Sequence, residues 1–126
     1  MGLPTSERAV EAAEEQLGRR LPQRLRERLL RNNGGDVLVR WEDGEEEEWQ
    51  LYPVWDDSDR ETMRRSSNHL VREQASAKEW PGFPGDAISI AALDGDQLVL
   101  TADQDEPKLW LHETGELASV EVVWQL

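Results

Sequence analysis

The chain contains no cysteine, only one phenylalanine and one tyrosine, and no apolar run long enough to cross a bilayer. The missing cysteine excludes disulfides, thiolate zinc sites and a catalytic thiol. A transmembrane helix needs about 20 predominantly apolar residues, and a signal peptide needs a shorter apolar stretch near the N-terminus. Neither pattern occurs, so we expect a cytoplasmic protein with no membrane partner.

Basic residues are also scarce, and they are unevenly distributed along the chain. The 126 residues carry a formal net charge of −13. Residues 1–35 hold seven basic and five acidic side chains, a net of +2, whereas residues 36–126 hold seven and 22, a net of −15. An acidic surface of this size repels nucleic acid and attracts basic proteins. We therefore expect no nucleic-acid partner, although residues 17–35 are rich in arginine.

The size and composition predict one domain over residues 1–126 with a small core. The hydrophobic fraction is 37% and the charged fraction is 33%, while six tryptophans supply apolar volume. A chain of this length buries roughly two thirds of its unfolded surface.

Two helices are predicted at the N-terminus. Thr5 or Ser6 can cap the first helix, and Gly18 suits its end. Pro22 fits the first turn of the second helix. Leucines 21, 25 and 29 form its buried stripe, and arginines 20, 24, 28 and 31 form the stripe beside it. We expect those arginines to pair with carboxylates of the sheet.

A β-hairpin should follow, because apolar residues alternate on both sides of Asp43 and Gly44. A two-residue loop would pair Trp41 with Glu46 and place carboxylates on the apolar face. A loop of odd length instead pairs Val39 with Trp49, and we favour it because register follows burial. The acidic run of residues 45–48 then forms a solvated tip.

The remaining sequence predicts one more helix and four short strands. Asp56, Asp57 and Asp59 are acidic residues suited to the start of a helix that runs to about Gln74. Met63 and Leu70, with Ser66 and Ser67 as weaker candidates, should face inward. Residues 80–86 contain two prolines and two glycines and must form a loop. The fold class is therefore α+β: a single domain with a largely antiparallel sheet of about six short strands, flanked by N-terminal helices and one inserted helix.

Two segments of the chain resemble the SUKH superfamily, the Smi–Knr-type domain. The first is the order of Glu14, Leu17, Gly18, Leu21, Pro22, Leu25, Leu29, Asn33, Gly34 and Gly35, and the second is residues 88–100 with Gly95, Asp96, Leu98 and Leu100. The resemblance spans about residues 6–112. It implies fold-defining roles for Leu21, Pro22, Leu25, Leu29, Gly34, Gly35, Gly95 and Asp96. Relatives often have more glycines at the second segment and end in a helix, whereas residues 116–126 are typical of a strand.

The same resemblance implies a function in bacterial toxin immunity. Such proteins bind cognate toxins, many of which are nucleases or nucleic-acid deaminases with basic clefts. The expected protein is therefore non-enzymatic, monomeric, and bound stoichiometrically to a basic protein toxin. The alternative is a regulatory protein-interaction or ligand-binding module of the same fold with no toxin partner.

Catalytic and metal-binding patterns are not evident in the sequence. His69 and His112 are the only histidines, and neither lies in a nucleophile elbow, a zinc-protease pattern or a phosphate-binding loop. The acidic stretches at 56–59, 94–96 and 103–106 lack the twelve-residue calcium-loop spacing. We expect solvated loops or helix caps there, with no metal, no cofactor and no enzyme activity.

Exposed carboxylates and two tryptophans are the candidate partner-binding residues. Trp55 and Trp80 flank predicted loops, where tryptophan can anchor an interface, although core packing is an equally good interpretation. The full candidate set is Glu45, Glu46, Glu47, Glu48, Trp55, Asp56, Asp57, Trp80, Asp94, Asp96, Asp103 and Asp105.

Overall fold

Two short helices open the structure, a computed structural model that describes residues 3–102 and 104–124. Helix α1, Glu7–Leu17, is capped by the Ser6 hydroxyl, which accepts a hydrogen bond from the Ala9 N–H, and it ends at Gly18 with a φ of 78°. Helix α2, Gln23–Arg31, follows Pro22. Leu21, Leu25 and Leu29 are buried, so the predicted stripe of α2 is confirmed.

Among the described residues, the predicted stripe of arginines does not pair with sheet carboxylates, and that prediction was wrong. Three of the four predicted arginines are exposed, at positions 20, 24 and 31. Arg28 is buried and donates to the backbone carbonyls of Asn32, Asp36 and Trp124 at 2.6–3.0 Å. The Asn32 carbonyl lies at the end of α2, the Asp36 carbonyl at the start of the next strand, and the Trp124 carbonyl just after the final strand. They need a donor once buried, and a guanidinium supplies several at once.

A second buried arginine, which the sequence pattern did not single out, joins α1 to α2. Arg26 Nε lies 3.1 Å from Glu14 Oε2, and both side chains are about 9% exposed. The same carboxylate oxygen accepts from the Leu21 N–H at 2.6 Å. Glu14 therefore stabilises both the chain reversal before α2 and the packing of the two helices.

Gly35 has two physical reasons to be glycine. Its φ is 77°, and a Cβ there would lie 2.7 Å from Asn32 Nδ2 and 3.0 Å from an Arg28 guanidinium nitrogen. A larger residue would displace the arginine from the carbonyls that it satisfies. The fold-defining role implied for Gly35 therefore has a structural cause.

Six strands form one antiparallel sheet. They are β1 Asp36–Trp41, β2 Glu46–Gln50, β3 Ile88–Leu93, β4 Asp96–Leu100, β5 Lys108–Trp110 and β6 Leu117–Val123. Their order is β2-β1-β6-β5-β4-β3. The sheet curls until its two edge strands meet, because Leu51 bridges Ala91 and the Tyr52 N–H donates to the Ile90 carbonyl at 2.9 Å. The predicted α+β class, strand count and final strand are confirmed.

The predicted register of the first hairpin was wrong by two residues. Val37 lies opposite Trp49, and Val39 lies opposite Glu47. The loop is of odd length, as predicted, and comprises three residues ending at Gly44 with a φ of 92°. A shift by two keeps every side chain on the same face, so burial alone could not decide between the two odd registers. Residues 46–48 consequently belong to β2 and not to the tip.

The inserted segment contains two helices where one was predicted. They are α3, Arg60–Arg65, and α4, Leu70–Lys78. The buried Ser66 hydroxyl bonds to the carbonyl of Thr62 and accepts from the Asp56 N–H, which ends α3. Leu70 and Ser66 face inward as predicted, whereas Met63 is 39% exposed and Ser67 is also exposed.

The loop of residues 80–87 covers only one part of the outer face of the sheet. Phe83 packs edge-on against Trp110, with ring centroids 5.2 Å apart, and buries Val99 and Ala87 with it. Over β2, β1 and β6 the outer face is exposed, and it carries Arg40, Glu48 and Glu121. The uncovered half of the outer face therefore lies over β2, β1 and β6.

Candidate functional site

The sheet topology brings three acidic turns to the same end of the molecule. Because every neighbouring pair of strands is antiparallel, the β1–β2, β3–β4 and β5–β6 turns all lie at one end of the sheet. The carboxylates there, which we call the acidic rim, are Glu42, Asp43, Glu45, Glu46, Glu47, Asp94, Asp96, Glu113, Glu116 and Glu121. The same segments, residues 40–47, 93–97 and 111–121, carry a single arginine, Arg40.

Arg40 lies between two strands of the rim and neutralises part of it. Two of its nitrogens are 2.8 and 2.9 Å from Glu46 Oε2, and a third is 3.0 Å from Glu121 Oε1. The hydrogen bond to Glu46 and the charges of both carboxylates raise the pKa of Arg40. Glu45 and Glu48 are exposed and form no ion pair with any other described residue. The hairpin thus presents more carboxylates than Arg40 can satisfy.

Apolar side chains lie among these carboxylates. A shallow trough of about 520 Å³ runs between the β1–β2 and β5–β6 turns and is lined by Trp41, Glu42, Asp43, Glu116, Leu117, Ala118 and Ser119. Leu117 is 42% exposed. The Trp41 indole N–H donates to Glu47 Oε1 at 3.0 Å, which orients the ring beside the trough. An apolar centre with a polar rim is typical of a protein-binding surface.

Trp80 lies at the β3–β4 turn of the rim. Asp94 and Gly95 have φ values of 53° and 93°, as a two-residue hairpin turn requires. A Cβ at Gly95 would lie 3.0 Å from both the Trp80 ring and His112 Nδ1, so glycine permits the indole to cover the turn. His112 Nδ1 lies 2.7 Å from Asp96 Oδ1, and its ring packs edge-on against Trp80 at 5.1 Å. Asp96 is therefore partly engaged within the fold.

The other predicted partner-binding residues lie away from the rim. Asp56 is buried, and its carboxylate accepts from the Thr5 hydroxyl at 2.6 Å and from the Ser58 N–H at 3.0 Å. Burial alone raises the pKa of Asp56, but these hydrogen bonds outweigh it and hold the pKa below its ordinary value. Asp57 is exposed in the loop before α3, and Trp55, 40% exposed, packs against His69 at 5.3 Å.

The last predicted acidic loop lies at the opposite end of the sheet from the rim. Asp105 is 3.8 Å from Arg19, and its side chain is 85% exposed. Asp103 lies outside the described residues. The structure therefore brings together residues 45–47, Asp94, Asp96 and Trp80, with Glu48 next to them on β2, and separates the rest.

Sequence reasoning missed half of the rim. The missed carboxylates are Glu42, Asp43, Glu113, Glu116 and Glu121, and the trough residues Trp41 and Leu117 were not among the candidates either. A signal for them existed, because a strand meander with Gly44 and Gly115 turns places alternate turns at the same end of an antiparallel sheet. The pairing of β1 with β6 was the missing fact, since it connects residues far apart in sequence.

The histidines and carboxylates that the structure describes do not assemble into a metal site. Among residues 3–102 and 104–124, no group of three His, Asp or Glu side chains is placed to hold a metal ion. His69 caps α4 by accepting from the Arg72 N–H at 3.3 Å, and burial together with the charge of Arg72 lowers its pKa. Within the same described residues, no helix has the length and apolar character of a membrane span.

Comparison with known families finds one match. The sequence model of the SMI1 / KNR4 family (SUKH-1) matches residues 4–125, nearly the whole chain. No curated protein and no solved structure matches the chain.

Proposed function

The chain belongs to the SMI1 / KNR4 family (SUKH-1), and on that premise we propose that it neutralises a basic protein toxin by stoichiometric binding at the acidic rim. The family is generally associated with toxin immunity. Its members are known as non-enzymatic domains of the immunity type. The proposal adds the surface that binds and the chemistry of the partner.

The observation that carries this proposal is the concentration of charge at one end of the sheet. Ten carboxylates and one arginine lie on three turns and their flanking residues. Most of these carboxylates are exposed. The exposed ones that make contacts within the fold are Glu46 and Glu121 with Arg40, Glu47 with Trp41, and Asp43, which accepts from the Glu45 N–H at 2.9 Å. Like charges held this close repel each other, so a cationic partner is favoured.

A basic cleft that accepts phosphate is the surface that best fits the rim. Nucleases and nucleic-acid deaminases hold their substrates with lysine and arginine, and carboxylates can occupy the same positions as phosphate groups. Complementary charge accelerates encounter and rejects wrong partners. The apolar centre at Trp41 and Leu117, together with Trp80, supplies the buried contacts that slow dissociation. Inhibition then follows from occupancy of the cleft, with no chemical turnover.

The direct test is protection of cells from the product of the adjacent gene. That gene product would be expressed in a host cell with and without this protein, and growth and complex formation would be measured. The test variant is Glu42→Gln, Asp43→Asn and Glu116→Gln together. Its matched control is Asp57→Asn, Asp105→Asn and Glu106→Gln, which removes the same three charges away from the rim.

The proposal predicts loss of protection with the rim variant and full protection with the control. Equal loss with both variants would mean that net charge matters and the rim does not. If the adjacent gene encodes no toxin and an untargeted pull-down from the native host recovers no basic protein, the regulatory alternative would replace the proposal.

A further inference from the structure

Strand β2 is an edge strand with an unused row of backbone hydrogen-bonding groups. In the sheet order it is the terminal strand, and it meets β3 only at its far end, where Leu51 bridges Ala91. Beyond that bridge, toward the rim, the exposed residues 46–48 border open solvent. The curled sheet is thus open for about the length of β2.

The ladder to β1 fixes which groups face that opening. The Trp41 N–H donates to the Glu45 carbonyl, and the Leu51 N–H donates to the Gly35 carbonyl. Hydrogen-bonded pairs alternate along an antiparallel ladder, so Glu47 and Trp49 also bond to β1. The N–H and C=O of Glu46 and Glu48 therefore point away from β1. Within the described part of the chain, nothing bonds to these four groups.

We propose that β2 binds an extended basic segment of the partner as an added antiparallel strand. This inference rests on the proposed function, because it specifies how the basic toxin docks. A strand paired with the five residues of β2 is about 17 Å long at 3.4 Å per residue. Its backbone would form hydrogen bonds with the outward-facing N–H and C=O groups of Glu46 and Glu48. A lysine or arginine directly opposite each glutamate would lie on the same outer face as the two carboxylates.

Charge complementarity identifies the occupant of this edge. A second copy of the chain pairing edge to edge would place Glu46 and Glu48 against glutamates, and like charges directly opposite each other destabilise a pair of strands. Acidic side chains on an edge strand therefore prevent self-association. A basic strand reverses the sign of the same interaction. The edge thus excludes copies of itself and accepts a cationic segment.

The probe for this proposal is a seven-residue peptide of alternating lysine and valine with blocked ends. Its matched control is the same peptide with methyl groups on the lysine backbone nitrogens, which keeps the charge and removes the donors. Amide hydrogen exchange of the full chain would be measured by NMR with each peptide at about 10 mM salt. The expected result is at least tenfold slower exchange at the Glu46 and Glu48 amides with the unmethylated peptide alone. The Glu47 amide, already bonded to β1, should not change.

Two variants separate the backbone contribution from the charge contribution. Glu48→Pro removes an outward-facing N–H without removing a bond to β1 and should weaken peptide binding about 3- to 10-fold at any salt concentration. Glu48→Gln keeps the N–H, so its smaller loss should vanish at about 0.5 M salt. Circular dichroism checks that both variants fold, and the exchange measurement on the unmodified chain needs neither variant.

Three results would overturn strand addition. They are absence of peptide binding, equal binding of the two peptides, and binding that leaves exchange at Glu46 and Glu48 unchanged. In the last two cases the rim would still bind cations, and the toxin-neutralising function would be judged separately by the cell-protection assay. Failure of the unmodified chain to protect cells there would instead remove the function on which this inference rests.

Discussion

In the helical region Glu14, Arg26 and Arg28 are 8, 8 and 5% exposed, whereas the carboxylates of residues 42–48 are all exposed. The buried charges are fully engaged: Glu14 with Arg26 and the Leu21 N–H, Arg28 with three carbonyls. The rim has one arginine for ten carboxylates. Two of the seven cations of residues 1–35 and one of their five anions are buried, so the net charge that reaches the surface falls from +2 to +1 and does not mark a surface for an acidic partner.

Burial decides whether a charge in this fold acts on stability or on partners. A buried ion must be paired and hydrogen-bonded, so its removal costs stability. An exposed ion in high dielectric contributes little to stability and acts mainly on partners at a distance. The helical charges should therefore affect unfolding, and the rim charges should affect association. Each of the following variants tests that division.

The largest effect is expected from breaking the buried ion pair. Glu14→Ala leaves the Arg26 guanidinium and the Leu21 N–H without their acceptor and should lower the free energy of unfolding by about 3–5 kcal/mol. Urea denaturation measures the loss. Glu15→Ala, an exposed neighbour on the same helix, is the control and should change stability by less than about 0.5 kcal/mol. Similar losses for the two variants would contradict the structural role of Glu14.

A second comparison lies within helix α2. Leu29 is fully buried, so Leu29→Ala should cost about 2–5 kcal/mol. Arg24 is exposed on the same helix, and Arg24→Ala should cost less than about 1 kcal/mol. Thermal and chemical unfolding of both variants provide the measurement. Equal losses would show that the helix presents a different face to the sheet.

The rim should give the opposite result. Replacing Glu45, Glu46, Glu47 and Glu48 together by glutamine should reduce the association rate with a basic partner about tenfold at low salt, because these charges steer the encounter. The dissociation rate should change less. The free energy of unfolding should stay within about 1 kcal/mol of the unmodified chain. Stopped-flow measurement of association and urea denaturation separate the two effects. A large loss of stability would contradict the assignment of these charges to association.

The smallest effect is expected at Arg40, the one cation of the rim. Arg40→Ala should cost less than about 1 kcal/mol of stability, although it removes contacts to Glu46 and Glu121. It also frees both carboxylates, so association with a basic partner should become about two- to threefold faster. Slower association would mean that Arg40 itself contacts the partner. Arg24→Ala, a loss of the same charge away from the rim, is the control.

The sequence predicted most elements of the fold because local signals specified them. Ser6 caps α1 and Gly18 ends it, as the sequence predicted, and Asp59, one of the acidic residues expected at the start of the inserted helix, caps α3. Two errors arose where local signals were degenerate. A shift of two residues in the β1–β2 register leaves the facing of each side chain unchanged, and the Ser66 hydroxyl breaks the inserted helix through contacts that the periodic pattern does not contain.

The candidate site was predicted only in part, for a different reason. Composition identified carboxylates, but their grouping depends on long-range strand pairing, which places Glu116 and Glu121 beside the β1–β2 hairpin. Asp56 shows the converse error. It is an acidic residue next to Asp57 in the same predicted loop, yet its carboxylate accepts a hydrogen bond from the hydroxyl of Thr5, which is far away in sequence. Exposure and pairing were decided by tertiary contacts, which no local pattern contains.

The salt dependence of association with the basic partner is the decisive measurement for binding through the acidic rim. Raising the ionic strength from about 0.01 to about 0.15 M shortens the Debye length from about 30 to about 8 Å, which screens the exposed rim but not contacts formed after docking. The association rate of the unmodified chain should fall about tenfold or more over this range, while the dissociation rate changes little. An association rate that is the same at both ionic strengths, or one that rises with added salt, would contradict binding through the acidic rim.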